Sequence, residues 1–83
     1  MTEITGWVLQ VLISSRSGKR RLYITGSWPD GKVRTSSAIT ILCADGEVQT
    51  HSGSTYLLKG TDRFGKTLAE SLSACGEWIP AGQ

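Results

Sequence analysis

The segment GTDRFGKT, residues 60–67, matches the phosphate-loop pattern G-x-x-x-x-G-K-[ST] at every fixed position. In that motif, main-chain N–H groups surround a phosphate, the lysine contacts the outer phosphates and the hydroxyl contacts magnesium. The same segment also fits the first turns of an amphipathic helix. Apolar residues continue through it at helical intervals, at Phe64, Leu68, Leu72 and Cys75.

The helical interpretation is favoured by the residues on either side. Thr61 or Asp62 suits the N-cap and Gly76 suits the C-terminal end. A helix that already contains Phe64 leaves no loop to hold a phosphate, and too few residues follow Thr67 for the remaining parts of a nucleotidase. We therefore expect no nucleotide hydrolysis. A weaker anion site at the helix N-terminus would use Arg63 and Lys66.

A histidine among hydroxyl groups, in QTHSGST at residues 49–55, is the second chemical candidate. A serine nucleophile needs a histidine base and a third group that orients the base. His51 and Ser52 are adjacent and point to opposite faces of a strand, whereas Ser54 can share the face of His51. Because no carboxylate lies nearby in sequence, a turn or bulge explains the segment better. We expect that the protein is not an enzyme.

The chain has few side chains that could ligate a metal. Structural zinc needs about four Cys or His ligands, usually in close pairs, and the chain offers only Cys43, Cys75 and His51. We expect no metal and no cofactor. Two reduced, mostly buried thiols are typical of a cytosolic protein, and a disulfide between the two cysteines is the alternative.

Positive charge is concentrated early in the chain. The net charge is +2, but six cations stand against two acids in residues 1–37. Four of those cations lie in a hexapeptide that is typical of a hairpin tip, at Arg16, Lys19, Arg20 and Arg21. Such a tip can contact phosphates or an acidic protein surface, or it can be a solvated loop. Arg34 extends this candidate surface, and Trp28 is either an apolar anchor for a partner or part of the core.

Alternating apolar residues and turn signals predict an α+β fold. The first strand places one apolar face towards the core, at Trp7, Leu9, Val11 and Ile13. Further strands are expected at residues 21–28, at residues 33–43 and on both sides of residues 51–54, with a two-residue Asp-Gly hairpin loop at residues 44–47. We predict one domain, residues 1–83, in which an antiparallel meander of four or five short strands forms a small sheet or partly closed barrel, with one C-terminal helix packed on it.

Residues 34–41, RTSSAITI, and residues 46–58, GEVQTHSGSTYLL, form a strand, a tight turn and a second alternating run. This layout resembles that of small accessory proteins of bacteriophages and prophages. The resemblance implies a phage-encoded protein in the cytoplasm of a bacterial host. That class includes inhibitors of host defence, such as anti-CRISPR proteins, which act by occupying a surface of their target.

These features predict a non-enzymatic binding protein that occludes a host protein or a protein–nucleic acid complex. No membrane partner is expected, because no export signal or apolar span is visible. Association of the chain with further copies of itself is an alternative that the sequence does not decide. One alternative is a small β-barrel that binds nucleic acid directly, for which a net charge of +2 is low. The other is a protein that captures a nucleotide without turnover.

Overall fold

The computed structural model describes residues 1–83, and it is an α+β fold, as predicted. The elements are β1 (Thr2–Ile13), β2 (Arg20–Ser27), β3 (Val33–Thr35), β4 (Ile39–Leu42), β5 (Glu47–Thr50), β6 (Thr55–Leu58) and α1 (Leu68–Cys75). The strands form one open sheet in the order β3-β2-β1-β6-β5-β4. The prediction of a four- or five-stranded antiparallel meander is wrong, because the sheet has six strands and β1 pairs with β6 in parallel.

Strand β1 joins two antiparallel three-stranded units by changing its partner. Its first residues pair with β6, whereas the stretch from Thr5 to the strand end pairs with β2, and the register slips between Thr5 and Val8. Gly6 lies in this bulge with φ of +52°, a conformation that glycine adopts without strain. The extra residue allows Ile4 and Trp7 both to face the core, where both are fully buried.

The core lies between the two units and beneath α1. It consists of eight buried side chains, Ile4, Trp7, Leu9, Leu22, Ile24, Ile39, Val48 and Leu58. The predicted apolar face of β1 is confirmed for Trp7 and Leu9, whereas Val11 is only half-buried and Ile13 is 68% exposed. The core therefore ends before the hairpin that joins β1 to β2.

The single strand predicted at residues 33–43 is two strands in different units. Strand β3 pairs with β2, and β4 pairs with β5. The buried Ser36 lies between the two strands and makes the hydrogen bonds to Ile24 that a neighbouring strand would make. Its N–H donates to the Ile24 carbonyl at 2.8 Å, and its Oγ accepts from the Ile24 N–H at 3.1 Å. The chain leaves the β2 edge at this residue and enters the other unit.

Four five-residue turns share one hydrogen-bonding pattern. The N–H of the first residue donates to the carbonyl of the fifth, and the N–H of a glycine at the fourth position donates to the carbonyl of the first. The glycines are Gly31, Gly46, Gly53 and Gly65, with φ between +80° and +92°. This arrangement is a three-residue loop with a glycine bulge. The two-residue loop predicted at residues 44–47 is therefore wrong, because Gly46 alone has positive φ there.

The residues after α1 bridge the two outer parts of the sheet. The Ile79 N–H donates to the Arg20 carbonyl of β2 at 2.7 Å, and the Ala81 N–H donates to the Ile39 carbonyl of β4 at 2.9 Å. We call residues 76–83 the tail. No helix of the chain is long and apolar enough to cross a membrane.

Candidate functional site

The segment that matches the phosphate-loop pattern is a turn followed by a helix, so the predicted helix start was wrong. Helix α1 begins at Leu68, and Thr67 is its N-cap. The Thr67 hydroxyl accepts from the Glu70 N–H, and the Glu70 carboxylate accepts from the Thr67 N–H at 3.0 Å, which completes a capping box. Phe64 therefore lies in the turn and is 70% exposed rather than packed on the sheet.

The anion position of this turn is occupied by the chain's own carboxylate. Asp62 accepts hydrogen bonds from the Phe64 and Lys66 N–H groups at 2.8 and 2.9 Å, and from the Ser71 hydroxyl at 2.7 Å. Burial acts to raise the pKa of Asp62, but these hydrogen bonds outweigh it and hold that pKa below its ordinary value. Asp62 thus fills the place that a phosphate takes in a phosphate loop.

The other donors of the motif are also used internally. The Gly65 N–H bonds to the Asp62 carbonyl, and the Thr67 hydroxyl bonds to the Glu70 carboxylate. Hydrogen bonds to Thr67 hold the pKa of Glu70 below its ordinary value, which keeps its carboxylate charged. A phosphate would have to displace both carboxylates. The candidate anion-site residues Arg63 and Lys66 are exposed and make no ion pair.

Three of the four hairpin cations hold the tail. Arg20 donates from Nε to the Glu77 carbonyl at 2.8 Å and from its guanidinium to the Cys75 carbonyl at 3.3 Å. Lys19 Nζ donates to the Gln83 main-chain oxygen at 2.7 Å. Arg21, which projects from the opposite face of β2, donates to main-chain oxygens at Ile79, Pro80 and Gln83. These contacts give the basic cluster a structural role that its sequence did not indicate.

The remaining predicted partner residues differ in their surroundings. Arg16, at the hairpin tip, is exposed and makes no hydrogen bond or ion pair with a side chain. Arg34 pairs with Asp30 on the surface. Trp28 is half-buried against the core and contacts Tyr56 edge to face, with ring centroids 5.3 Å apart. Trp28 therefore packs partly against the core, which is the second of the two roles that the sequence allowed, and its role as a partner anchor stays a prediction.

The histidine of the hydroxyl-rich segment does not bond to the hydroxyls around it. Ser52 bonds to the hydroxyls of Ser37 and Thr50, while the His51 side chain bonds to none of them.

The two cysteines form no disulfide. Cys43 is exposed, contrary to the predicted buried thiol, and Cys75 is half-buried. Burial raises the pKa of the Cys75 thiol, and Arg20 partly offsets this. No group of three metal-ligating side chains is present.

One edge of β1 is unpaired, which sequence reasoning missed. Alternate residues of an antiparallel strand direct their main-chain groups to opposite sides. Ser14 directs its main chain towards β2, because its N–H bonds to the Lys19 carbonyl. Ile24 of β2 lies opposite Leu9 but directs its main chain away from β1, because it bonds to Ser36 on its other side. The main-chain groups of Leu9, Val11 and Ile13 therefore point away from β2. The Leu9 carbonyl accepts from the Cys75 thiol at 3.8 Å, whereas those of Val11 and Ile13 have no partner.

A groove of about 360 Å³ runs between this edge, α1 and the turn that carries Phe64. Six of its ten lining residues are hydrophobic, among them Val8, Val11 and Ala74. Two cations, Arg20 and Lys66, also line it, whereas its one carboxylate, Asp62, is buried and fully hydrogen-bonded. The groove therefore combines unpaired main-chain groups, apolar walls and positive charge.

Comparison of the chain with protein-family models, with curated proteins and with solved structures finds no match.

Proposed function

We propose that the chain is a non-enzymatic binding protein that occupies a partner protein by pairing with one of its extended segments along the β1 edge. The observation that carries this proposal is the free N–H and C=O groups of Val11 and Ile13 beside an open groove. Extended peptides add to exposed sheet edges through such groups, and neighbouring pockets provide specificity. The other two edges suit this role less, because β3 carries a charged residue, Arg34, and Ile39 of β4 is bonded to the tail.

Phe64 supplies an apolar anchor at the end of the groove. Its turn is fixed by the hydrogen bonds to Asp62 and by the bond from the Arg63 N–H to the Trp7 carbonyl at 2.8 Å. An exposed aromatic ring on a rigid turn loses little conformational entropy on binding. Phe64 thus takes the anchoring role that the sequence assigned to Trp28.

The charge of the groove defines the chemistry of the partner segment. Arg20 and Lys66 line it, and Arg63 stands on the adjoining turn. A segment with alternating apolar residues and at least one acidic residue complements these cations. Pairing with such a segment would cover it and block its other contacts, which is the mode of action implied by the resemblance to phage accessory proteins. A host protein in the bacterial cytoplasm is the partner that we propose.

The test compares matched variants in a capture experiment from bacterial lysate. Phe64→Ala removes the anchor, and Val33→Ala removes a similarly exposed apolar residue on β3 that does not line the groove. We expect a protein that is captured by the wild type and by Val33→Ala but lost with Phe64→Ala. Hydrogen exchange of the purified complex should then show new protection at the Val11 and Ile13 amides. A partner that Phe64→Ala captures as well as the wild type, without protection at those amides, would refute the proposed surface.

Direct nucleic-acid binding remains the second candidate function. Its support is weaker because a net charge of +2 is low for a protein that follows a nucleic-acid backbone. A salt titration with single-stranded DNA distinguishes the two, since backbone binding weakens steeply with ionic strength. Absence of binding at low salt would eliminate it.

A further inference from the structure

A second depression lies where the hairpin tip meets the tail, and it shares no lining residue with the groove beside β1. It has a volume of about 250 Å³ and is lined by Ser14, Arg16, Arg21, Tyr23 and His51, with the tail turn at Ala81. We call it the tip cleft. Residues from three separated parts of the chain meet there.

The tip cleft collects donors that have no partner inside the protein. The side chains of Arg16, Tyr23 and His51 make no hydrogen bond and no ion pair. Arg21 is held in the wall by its bonds to the tail, so its positive charge is fixed there. No carboxylate side chain lines the cleft. This combination of guanidinium, imidazole and hydroxyl groups is complementary to an anion with several oxygens.

We propose that the tip cleft binds a phosphate monoester group. The phosphate group carries a charge of about −1.5 to −2 at neutral pH. The free Arg16 guanidinium can donate to its oxygens, and the positive charge of Arg21 is fixed beside it by the bonds to the tail. The volume is below the range of about 300–1,000 Å³ that is usual for pockets that enclose a drug-sized ligand. The cleft therefore holds the phosphate end of a ligand whose remainder lies on the surface. This site is separate from the groove, so its failure would leave the proposed function unchanged.

The test is a titration followed by amide resonances, with AMP as the probe. Adenosine lacks the phosphate and 3′,5′-cyclic AMP carries a diester, so the three ligands separate the base, the phosphate and its monoester state. We expect AMP to shift amides near Gly18, His51 and Gly82, and adenosine to shift none of them. Equal shifts with adenosine, or equal affinity for the cyclic diester, would overturn the proposal.

Two variants test the donors. Arg16→Gln and His51→Gln together should weaken AMP binding about tenfold, because charge-assisted hydrogen bonds are lost. Lys32→Gln removes one exposed cation outside the cleft and should leave the affinity unchanged. Since Arg16 and His51 make no internal side-chain bond, the double variant should keep the wild-type Tm. An equal loss in Lys32→Gln, or wild-type affinity in the folded double variant, would show that the cleft is not the site.

Discussion

Arg21→Gln tests the structural role of the basic cluster. In the folded chain the Arg21 guanidinium donates to three main-chain oxygens of the tail, at Ile79, Pro80 and Gln83. A hydrogen bond to a charged group contributes about 1.5–3 kcal/mol when it is buried, and an exposed ionic contact contributes about 0–1 kcal/mol. Because Arg21 is half-buried, we expect a loss of about 1–2 kcal/mol in the free energy of unfolding. In a domain of this size that loss lowers Tm by roughly 4–16 °C.

The assay is thermal denaturation together with hydrogen exchange of the Ile79 and Ala81 amides. Both amides are bonded to the sheet, so they should exchange faster in Arg21→Gln if the tail detaches. Arg16→Gln is the matched control, because it removes the same charge without touching the tail. Equal Tm values for both variants, with unchanged exchange at the two amides, would refute the tail-holding role.

Two further predictions concern the positions that set the fold. Gly26→Ala should lower the free energy of unfolding by about 1–3 kcal/mol in a urea titration, because the new Cβ would stand 2.6 Å from Ile4 Cγ2 and 3.0 Å from Trp7 Cα. Ser27→Ala, one residue along β2, should change it little, and equal losses would remove the overpacking argument. Asp62→Asn should weaken the acid dependence of stability. Since the folded pKa of Asp62 lies below its unfolded value of about 3.9, its contribution is present above that pH and is lost as the pH falls through the folded pKa. An identical fall in the wild type and in Asp62→Asn would contradict this assignment.

The strands and turns were largely predictable from local patterns. The apolar alternation around Trp7 and Leu9 identified the core face of β1, and the glycine turns separated most strands. What could not be predicted was the exchange of strand partners. The bulge at Gly6 and the break at Ser36 depend on which strand lies alongside, and residues distant in sequence decide that. The alternation at residues 33–43 is the same for one strand or two.

The sequence did contain a signal for the correct start of the helix. Thr67 and Glu70 stand three residues apart immediately around the first helical turn, which is the spacing of a capping box. The apolar spacing from Phe64 suggested an earlier start, but Asp62 and Gly65 favour a turn over a helix. The role of the hairpin cations could not be read from sequence, because it depends on where the tail lies. The open β1 edge had one indication, a segment at residues 8–13 in which Gln10 is the only polar residue and which has no charge or proline.

Hydrogen exchange along β1 of the free protein tests the proposed binding edge most directly. The Gln10 and Leu12 amides point towards β2 and should be protected, whereas the Val11 and Ile13 amides point to the open edge and should exchange rapidly. The predicted result is therefore alternating protection along one strand. Protection of Val11 and Ile13 equal to that of their neighbours, at all protein concentrations, would show that the edge is already covered and would contradict the proposed mode of binding.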